Sequence, residues 1–342
     1  MTAKLDLTNG RVELAHGGGG RAMSRLVADL FAAALDNDWV RAGEDAARFE
    51  APAGRMVMAT DSHVVSPLFF PGGDIGSLAV HGTINDVAMA GARPLYLAAG
   101  FVLEEGLPLA DLRRIAESMA AASREAGVPV IAGDTKVVER GKADGVFITT
   151  TGVGTVPEGV AVGGDRARPG DVLVVNGPVG DHGTAILSVR EDLGFGTNLE
   201  SDTAALHGLV AAMLEAVPGI RCLRDPTRGG LAAALNELAH ASGVGMRIRE
   251  ADLPIREEVR AASEILGLDP LHAANEGKLV AVCPPEAVED LLTAMRDHPL
   301  GREAAVIGEA VADERGFVEM ETAFGGTRLV EWLYGEQLPR IC

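Results

Sequence analysis

The chain has 342 residues, of which 47% are apolar and 4% aromatic, and its 49 acidic against 30 basic residues give a formal net charge of −19. This acidic balance disfavours binding to nucleic acids and to anionic membranes. No uncharged apolar run reaches the length of a membrane span, and residues 1–16 lack the apolar core of a signal peptide, so we expect a cytoplasmic protein that is long enough for two domains.

A run of glycines, Gly17 to Gly20, precedes the first predicted helix, an amphipathic segment over about 22–35. Exposed backbone N–H groups at the start of a helix suit phosphate groups. The match to the dinucleotide-binding fingerprint is weak, because no clear strand precedes the glycines and no βαβ unit follows. The sequence also lacks a Walker A motif, since Gly277-Lys278 is followed by Leu279 instead of Ser or Thr.

Three aspartates in the first half are candidate ligands of a divalent cation. Asp45 precedes a strand predicted over 55–60, Asp61 directly follows that strand, and Asp86 lies in a small-residue helix predicted over about 75–90. Ligand groups often follow the carboxyl ends of strands, and an Asp among apolar helical residues is costly without a cation or donor. Mg²⁺ commonly takes carboxylates together with substrate phosphates. Each aspartate alone could equally be a turn or surface residue.

Strands are predicted over 95–103 and 128–132, with an amphipathic helix over 109–126 between them. The second strand ends in Gly133-Asp134-Thr135-Lys136, a plausible phosphate or metal corner in which Lys136 supplies a point charge. A strand over 146–156 closes the first domain. We predict an N-terminal glycine-rich segment and helix, a first domain, a linker, a second domain and a tail, over 1–40, 41–156, 157–170, 171–334 and 335–342.

The second domain carries three polar candidates. His182 lies at the start of a helix predicted over 184–189 and is more typical of a helix-end hydrogen-bonding residue than of a catalyst. Asp225 opens the turn before a helix over 231–242 and has the character of a cap. Glu276 precedes a strand over 279–282, where it could be a poised base or an ordinary turn residue.

The cysteines indicate a reducing compartment. Cys222, Cys283 and Cys342 are odd in number and form no C-x-x-C pair, which argues against a disulfide framework and a structural zinc site. Cys222 and Cys283 have apolar neighbours and are predicted to be buried.

Cys342 ends a tail that is predicted to swing. Gly335 offers a hinge, and Pro339 favours an extended chain. Seven extended residues span about 25 Å, enough to place the thiol in a cleft of the same chain or of a partner. An ordinary thiol pKa near ~8.5 means that the receiving site has to activate it. The alternative is a disordered tail with an incidental cysteine.

Together these segments closely resemble the HypE family of hydrogenase maturation factors over nearly the whole chain. The matching segments are Asp61-Ser62-His63, Gly82 to Val87, Gly133 to Lys136, Asp181-His182-Gly183, Asp225 to Gly230, Asn275-Glu276-Gly277 and Pro339 to Cys342. The family belongs to a superfamily of ATP users with aminoimidazole ribonucleotide synthetase, selenophosphate synthetase and thiamine monophosphate kinase. The resemblance implies an α+β fold of two α/β-type domains, a homodimer whose N-terminal sheets form an interface barrel, and a flexible C-terminal tail.

The resemblance also implies an activity. Cys342 would accept a carbamoyl group from the carbamoyltransferase HypF, and ATP with Mg²⁺ would drive its dehydration to a thiocyanate. The cyano group would then pass to iron held by the HypC–HypD complex, for a [NiFe]-hydrogenase. The implied catalytic residues are Cys342, Glu276 as the base and Lys136; the implied ATP-binding residues are Gly18, Gly19, Gly20, Asp45, Asp61, Asp86, Asp134, Thr135 and Asp225, of which Asp45, Asp61, Asp86 and Asp225 would hold the metal.

Two other functions remain open at this point. An ATP-dependent synthetase or kinase of the same superfamily, acting on a free small molecule, would keep its turnover without Cys342. A non-catalytic carrier of a metal or sulfur species would not hydrolyse ATP, and it would leave the carboxylates and Lys136 unexplained.

Overall fold

The structure is a computed structural model that describes residues 4–44, 46–190, 199–332 and 340–342. Its strands are β1 (Arg55–His63), β2 (Phe69–Phe70), β3 (Gly73–Asp74), β4 (Arg93–Glu104), β5 (Val130–Val138), β6 (Val146–Val156), β7 (Val172–Val175), β8 (Cys222–Arg224), β9 (Gly245–Arg249), β10 (Val280–Cys283), β11 (Ala305–Val311), β12 (Val318–Glu321) and β13 (Thr327–Leu329).

The α-helices are α1 (Arg21–Leu26), α2 (Ala32–Ala34), α3 (Asp38–Ala42), α4 (Ile75–Met89), α5 (Leu109–Ala126), α6 (Asp181–Arg190), α7 (His207–Ala216), α8 (Gly230–Ser242), α9 (Glu257–Leu266) and α10 (Val288–Asp297). A π-helical turn, Val27–Phe31, joins α1 to α2, so the helix predicted over 22–35 is present but irregular. Within the described residues, none of these helices combines the length and the apolar character that crossing a bilayer requires.

The first sheet has the strand order β1-β6-β4-β5, with β4 and β5 parallel and the other pairs antiparallel. Helices α4 and α5 cover one of its faces. Glycines allow α4 to approach closely, since a Cβ on Gly152 would lie 2.9 Å from Thr83 Cγ2 and one on Gly154 would lie 2.6 Å from Val87 Cγ1. The small residues of this region therefore serve helix-on-sheet packing.

The opposite face of this sheet, which we call the open face, is partly polar and partly apolar. Met58 on β1 is 74% exposed there, and Asp134 and Lys136 on β5 are exposed as well. In the described part of the chain, β1 and β5 each pair on one side, so the sheet of a single chain is open and forms no closed barrel.

The second sheet has the order β13-β12-β9-β11-β7-β10-β8 and is antiparallel except between β12 and β9. It has apolar cores on both sides, and its central strands β7 and β10 are almost completely buried. Cys222 and Cys283 are fully buried in these cores as free thiols, which confirms their predicted burial.

Two predicted strand ends are wrong. Asp61 lies inside β1, which pairs with β6 over its full length from Arg55 to His63, and does not follow the strand. The Gly133 to Lys136 segment lies inside β5, because its backbone pairs with β4 as far as Val138. Polar residues continue these strands because ladder hydrogen bonding depends on the backbone, and the edge position of β5 tolerates exposed side chains.

Candidate active site

The last three described residues, 340–342, which we call the tail tip, lie against the segment that follows β1. The backbone N–H of Val64 donates to the Cys342 carbonyl at 3.2 Å, and that of Ser66 donates to the Arg340 carbonyl at 3.1 Å. The Ile341 side chain is only 4% exposed and packs in the core between the domains. The tail tip is therefore docked inward in this structure, while the Gly335 and Pro339 of the predicted hinge lie outside the described residues.

Cys342 is half-buried and lies close to several carboxylates. Burial raises the pKa of its thiol well above the ordinary range, and the neighbouring Glu276, Asp61 and Asp225 raise it further, whereas Arg228 lowers it. The docked sulfur is thus held as a thiol, which is a poor nucleophile. Inward docking makes Glu276 the acidic neighbour with the largest effect on Cys342.

Glu276 is buried and firmly held through its backbone. Its N–H donates to Asp202 Oδ1 at 3.0 Å, and its carbonyl accepts from Asn85 Nδ2 at 3.1 Å. The carboxyl oxygen Oε1 has no hydrogen-bond partner among the described residues. Burial raises the Glu276 pKa strongly, and repulsion from Asp202, the largest of the charge effects, raises it further. A buried carboxyl group with a free oxygen is placed to exchange a proton with a bound substrate.

Three predicted ligands converge beside Glu276 from separate elements: Asp61 from β1, Asp86 from α4 and Asp225 from the turn after β8. Burial, and then the charges of Asp225 and Asp61, raise the pKa of Asp86 to about 7. Burial also raises the pKa of Asp225, and Asp61 adds to this effect. Crowded carboxylates of this kind repel one another until a cation joins them.

The donor chemistry of this cluster fits magnesium. Within the described ranges, no three His, Cys, Asp or Glu side chains are arranged so that together they could hold a metal ion. Mg²⁺ normally takes one or two carboxylates and completes its shell with water and substrate phosphates, so it does not need a full protein cage. Asp45, the fourth predicted ligand, lies outside the described residues.

Lys136, Asp134 and Thr135 lie away from this cluster. Strand β5, which carries them, is separated from β1 by β6 and β4, or about 14 Å at the usual spacing of strands. Asp61 points to the helix-covered face, whereas Lys136 points to the open face, where it forms an ion pair with Asp134. A single chain therefore does not bring Lys136 to Glu276.

A cavity of about 240 Å³ adjoins β5, apart from the carboxylate cluster. Apolar side chains of α1 to α3 line one side of it, including Phe31 and Trp39, and the backbone of Gly133 with Asp134 and Thr135 lines the other. Gly17, the first glycine of the run at 17–20, lies near the same strand, since a Cβ on Gly17 would lie 2.9 Å from Val137. Gly19 has a φ of 73°, which favours glycine at that position.

Two residues near the site, His63 and Asp202, were not singled out by the sequence, and a third, His182, has partners that the sequence did not indicate. His63 is 1% exposed, lies 3.5 Å from Asp61 and makes no hydrogen bond through its ring within the described chain. His182 hydrogen-bonds at the start of α6, as predicted, but its partners are Ser201 and the tail tip. Asp202 forms a buried ion pair with Lys278 at 3.1 Å. The loop that carries Ser201 and Asp202 has no periodic pattern, so no sequence signal indicated it.

Comparisons with known proteins agree over the whole chain. The family model for the N-terminal domain of AIR synthase related proteins matches residues 43–156, and the C-terminal one matches residues 168–321. The carbamoyl dehydratase HypE of Azotobacter vinelandii is 71% identical over 99% of this chain and 100% of its own. A crystal structure of HypE in complex with ATP is 50% identical, with a TM-score of 0.93 over 96% of this chain and 99% of that one. A chain from the crystal structure of a HypE–HypF complex is 47% identical to this one. It aligns with a TM-score of 0.80 over 90% of this chain and 99% of its own length.

Proposed function

Because the chain belongs to the HypE family of carbamoyl dehydratases, we propose that it dehydrates an S-carbamoyl group on Cys342 to a thiocyanate at the expense of ATP. The thiocyanate would supply the cyanide ligand of the iron in a [NiFe]-hydrogenase. The observation that carries this proposal is the inward docking of Cys342 beside Glu276, with Asp61 and Asp225 near it. A thiol with a raised pKa is a poor nucleophile. The docked position therefore suits a sulfur that already carries a carbamoyl group and presents this group to the site.

The reaction balances as R–S–C(O)NH₂ with ATP giving R–S–C≡N, ADP, phosphate and a proton. An amide oxygen is a poor leaving group, so it first receives the γ-phosphoryl group. The C–O bond then breaks while the nitrogen loses its two protons. We assign the ionised Glu276 Oε1 as the acceptor of one of these protons, because it is buried, unpaired and next to the sulfur, while the other proton leaves with the phosphate. Exclusion of water protects the phosphorylated intermediate from hydrolysis.

Asp61, Asp86 and Asp225, with Asp45 by resemblance, are the residues that would hold Mg²⁺. When bound, the metal neutralises phosphate charge. The protein's own contribution is to gather the carboxylates from β1, α4 and the turn after β8 at one point, where their repulsion favours a cation. HypE has been crystallised with ATP, which supports nucleotide binding by this chain.

We assign the cavity beside β5 to the nucleotide. Its apolar wall suits a base, while Asp134 and Thr135 suit polar groups. The resemblance adds Gly18 to Gly20 as the backbone that covers the phosphates. Because this cavity and Lys136 lie far from Asp61 in one chain, we infer a homodimer in which Lys136 serves the site of the other subunit. Mixing Lys136→Ala chains with Glu276→Gln chains should then restore activity in hybrid dimers; no restoration would refute this assignment.

The tail must also leave the site to meet its partners. The HypE–HypF complex supports HypF as the carbamoyl donor, and we propose the HypC–HypD complex as the acceptor of the cyano group. Arg340 pairs with Asp144 at the surface, so this anchor is accessible and easily released.

Intact-protein mass spectrometry tests the proposal. We expect a carbamoyl adduct after incubation with HypF, carbamoyl phosphate and ATP, followed by loss of the mass of one water with Mg-ATP. The Cys342→Ala chain should show neither change. If the chain stays unmodified at Cys342 and consumes ATP with a free metabolite, the small-molecule synthetase is the correct function instead.

A further inference from the structure

We propose that His182 is a positioning residue that holds the tail tip in the site and connects it, through Ser201 and Asp202, to Glu276. The inference rests on the proposed function, because it concerns the thiol and the base of that reaction. It adds a device by which docking of the thiol and placement of the base occur together.

The first step is the contact between His182 and the tail tip. His182 is fully buried in the first turn of α6, and its Nε2 lies 2.9 Å from the Ile341 carbonyl oxygen. A carbonyl oxygen can only accept, so Nε2 carries the proton and donates it. Nδ1 is then the acceptor of the Ser201 hydroxyl, whose oxygen lies 2.7 Å away. An edge-on contact with the Phe70 ring, at 5.6 Å between centroids, fixes the plane of the imidazole.

Among the described side chains that bind the tail tip, His182 is the one that does so in a buried setting. The other side-chain anchor, the ion pair between Arg340 and Asp144, is partly exposed on both sides. Exposed ion pairs contribute little, whereas a buried carbonyl that loses its donor is costly. His182 is therefore the side chain whose loss should matter most for docking.

The second step leads from Ser201 to the base. Residues 200–206, which we call the strap, cross between the domains. The Ser201 N–H donates to the Pro71 carbonyl at 2.8 Å, and the next residue, Asp202, accepts from the Glu276 N–H at 3.0 Å. Asp202 is also fixed by Lys278. Since Ser201 and Asp202 are covalent neighbours, a shift of Ser201 moves the acceptor that holds Glu276.

Docking of the tail tip and placement of Glu276 are therefore linked. With the tail tip docked, His182 fixes Ser201, and Asp202 then holds Glu276 beside the sulfur. With the tail tip released, His182 loses its carbonyl partner and the strap loses one of its constraints. The base is thus best ordered when its substrate is present.

The docking half is tested by the rate at which iodoacetamide alkylates the full-length protein, followed by intact mass. Cys222 and Cys283 are fully buried, so Cys342 dominates the fast phase, and Cys342→Ser gives the background. We expect His182→Leu to raise the rate roughly three- to tenfold, the equivalent of one buried hydrogen bond. His182→Gln keeps a donor near the Nε2 position and should restore most of the protection. A wild-type rate for His182→Leu would overturn the proposal.

Ser201→Ala provides a milder second variant, should His182→Leu fail to fold. Its matched control is Ser188→Ala, which removes a hydroxyl that donates to the Ala185 carbonyl within α6 and has no other hydrogen bond to the residues that the structure describes. We expect Ser201→Ala to raise the alkylation rate about two- to fivefold and Ser188→Ala to leave it unchanged. Equal rates for the two variants would contradict a role for Ser201.

The connection to Glu276 is tested with protein already carbamoylated at Cys342. In a single turnover with saturating Mg-ATP, the Ser201→Ala protein should dehydrate its thiocarbamate several-fold more slowly than the wild type. When the ATP concentration is varied, its KM for ATP should be unchanged. Ser201→Thr should recover the rate. An unchanged single-turnover rate would reject the connection. If the wild type itself fails to dehydrate, the proposed function is wrong, while the alkylation rates still decide whether His182 holds the tail tip.

Discussion

Gly277 lies so close to Asp202 that a Cβ on Gly277 would be 1.8 Å from the Asp202 carbonyl oxygen. The strap and the turn that carries Glu276 are therefore packed backbone to backbone. This contact explains why a glycine follows Glu276, and it makes the position sensitive to the smallest possible side chain.

We expect Gly277→Ala to destabilise the protein by about 1–3 kcal/mol, the range of overpacking in a tight interior, and to lower the dehydration rate by displacing Glu276. Chemical denaturation and single-turnover kinetics measure the two effects. Gly219→Ala is the control, because a Cβ there meets no atom within 4 Å. A Gly277→Ala protein with wild-type stability and a wild-type dehydration rate would contradict this prediction. It would show that the turn accommodates the methyl group without displacing Glu276.

We expect Glu276→Gln to slow conversion of the thiocarbamate by roughly 10²- to 10⁴-fold, the usual contribution of a general base. Carbamoylation of Cys342 should be unaffected, because it requires the thiol outside the site. Mass spectrometry separates the two steps in one sample. The exposed Glu286→Gln is the matched control. Normal conversion by Glu276→Gln would remove Glu276 from the role of base.

Asp86→Asn should raise the melting temperature of the protein in the absence of metal, because it relieves a buried carboxyl whose pKa is raised by burial, Asp225 and Asp61. The same change should abolish most of the stabilisation that Mg-ATP gives to the wild type, since a ligand stabilises the folded state only when its concentration exceeds its Kd. Thermal unfolding with and without Mg²⁺ measures both, with the exposed Asp290→Asn as the control. Full retention of the Mg²⁺-dependent shift would argue against Asp86 as a ligand.

His81 should make the protein less stable in acid. Burial, followed by the charge of His207, lowers the His81 pKa from 6.5 to about 4. Between these values the unfolded chain binds a proton that the folded chain does not, so stability is full above pH 6.5 and falls as the pH drops toward 4. The loss has a ceiling of about 1.4 kcal/mol per pH unit.

Replacing His81 by Asn, which keeps a group able to bond to the Thr203 hydroxyl, should flatten this dependence. The free energy of unfolding, measured in urea between pH 4 and 7, gives the slope for each protein. His240→Asn removes an exposed imidazole and should follow the wild type. Parallel slopes for His81→Asn and the wild type would contradict the assignment.

The sequence predicted regular elements well where apolar residues repeat. The helix over 109–126 and the strand over 146–156 are confirmed residue for residue. The period of α5 survives in the structure because its apolar side packs directly on α4 and the sheet core.

Prediction failed where long-range pairing overrides local polarity. The polar segment Gly133 to Lys136 predicts a strand end, yet the pairing of β5 with β4 continues to Val138. The strap and the seat of the tail tip could not be predicted either, since His182, Ser201 and Ile341 meet across 159 positions of sequence separation at the widest. No local pattern encodes such contacts.

Ile341 packs against residues of both domains, including Ile186 and Ala274 of the second, while Val64 and Ser66 of the first hold the backbone on either side of it. The docked tail tip therefore connects the two domains, and this connection is lost when the tip is released. When the thiol leaves to collect or deliver its cargo, the two domains lose a shared joint, so the stiffness of the whole protein should alternate with each catalytic cycle. The stiffness of the protein would then report whether the thiol is docked in the site or released from it.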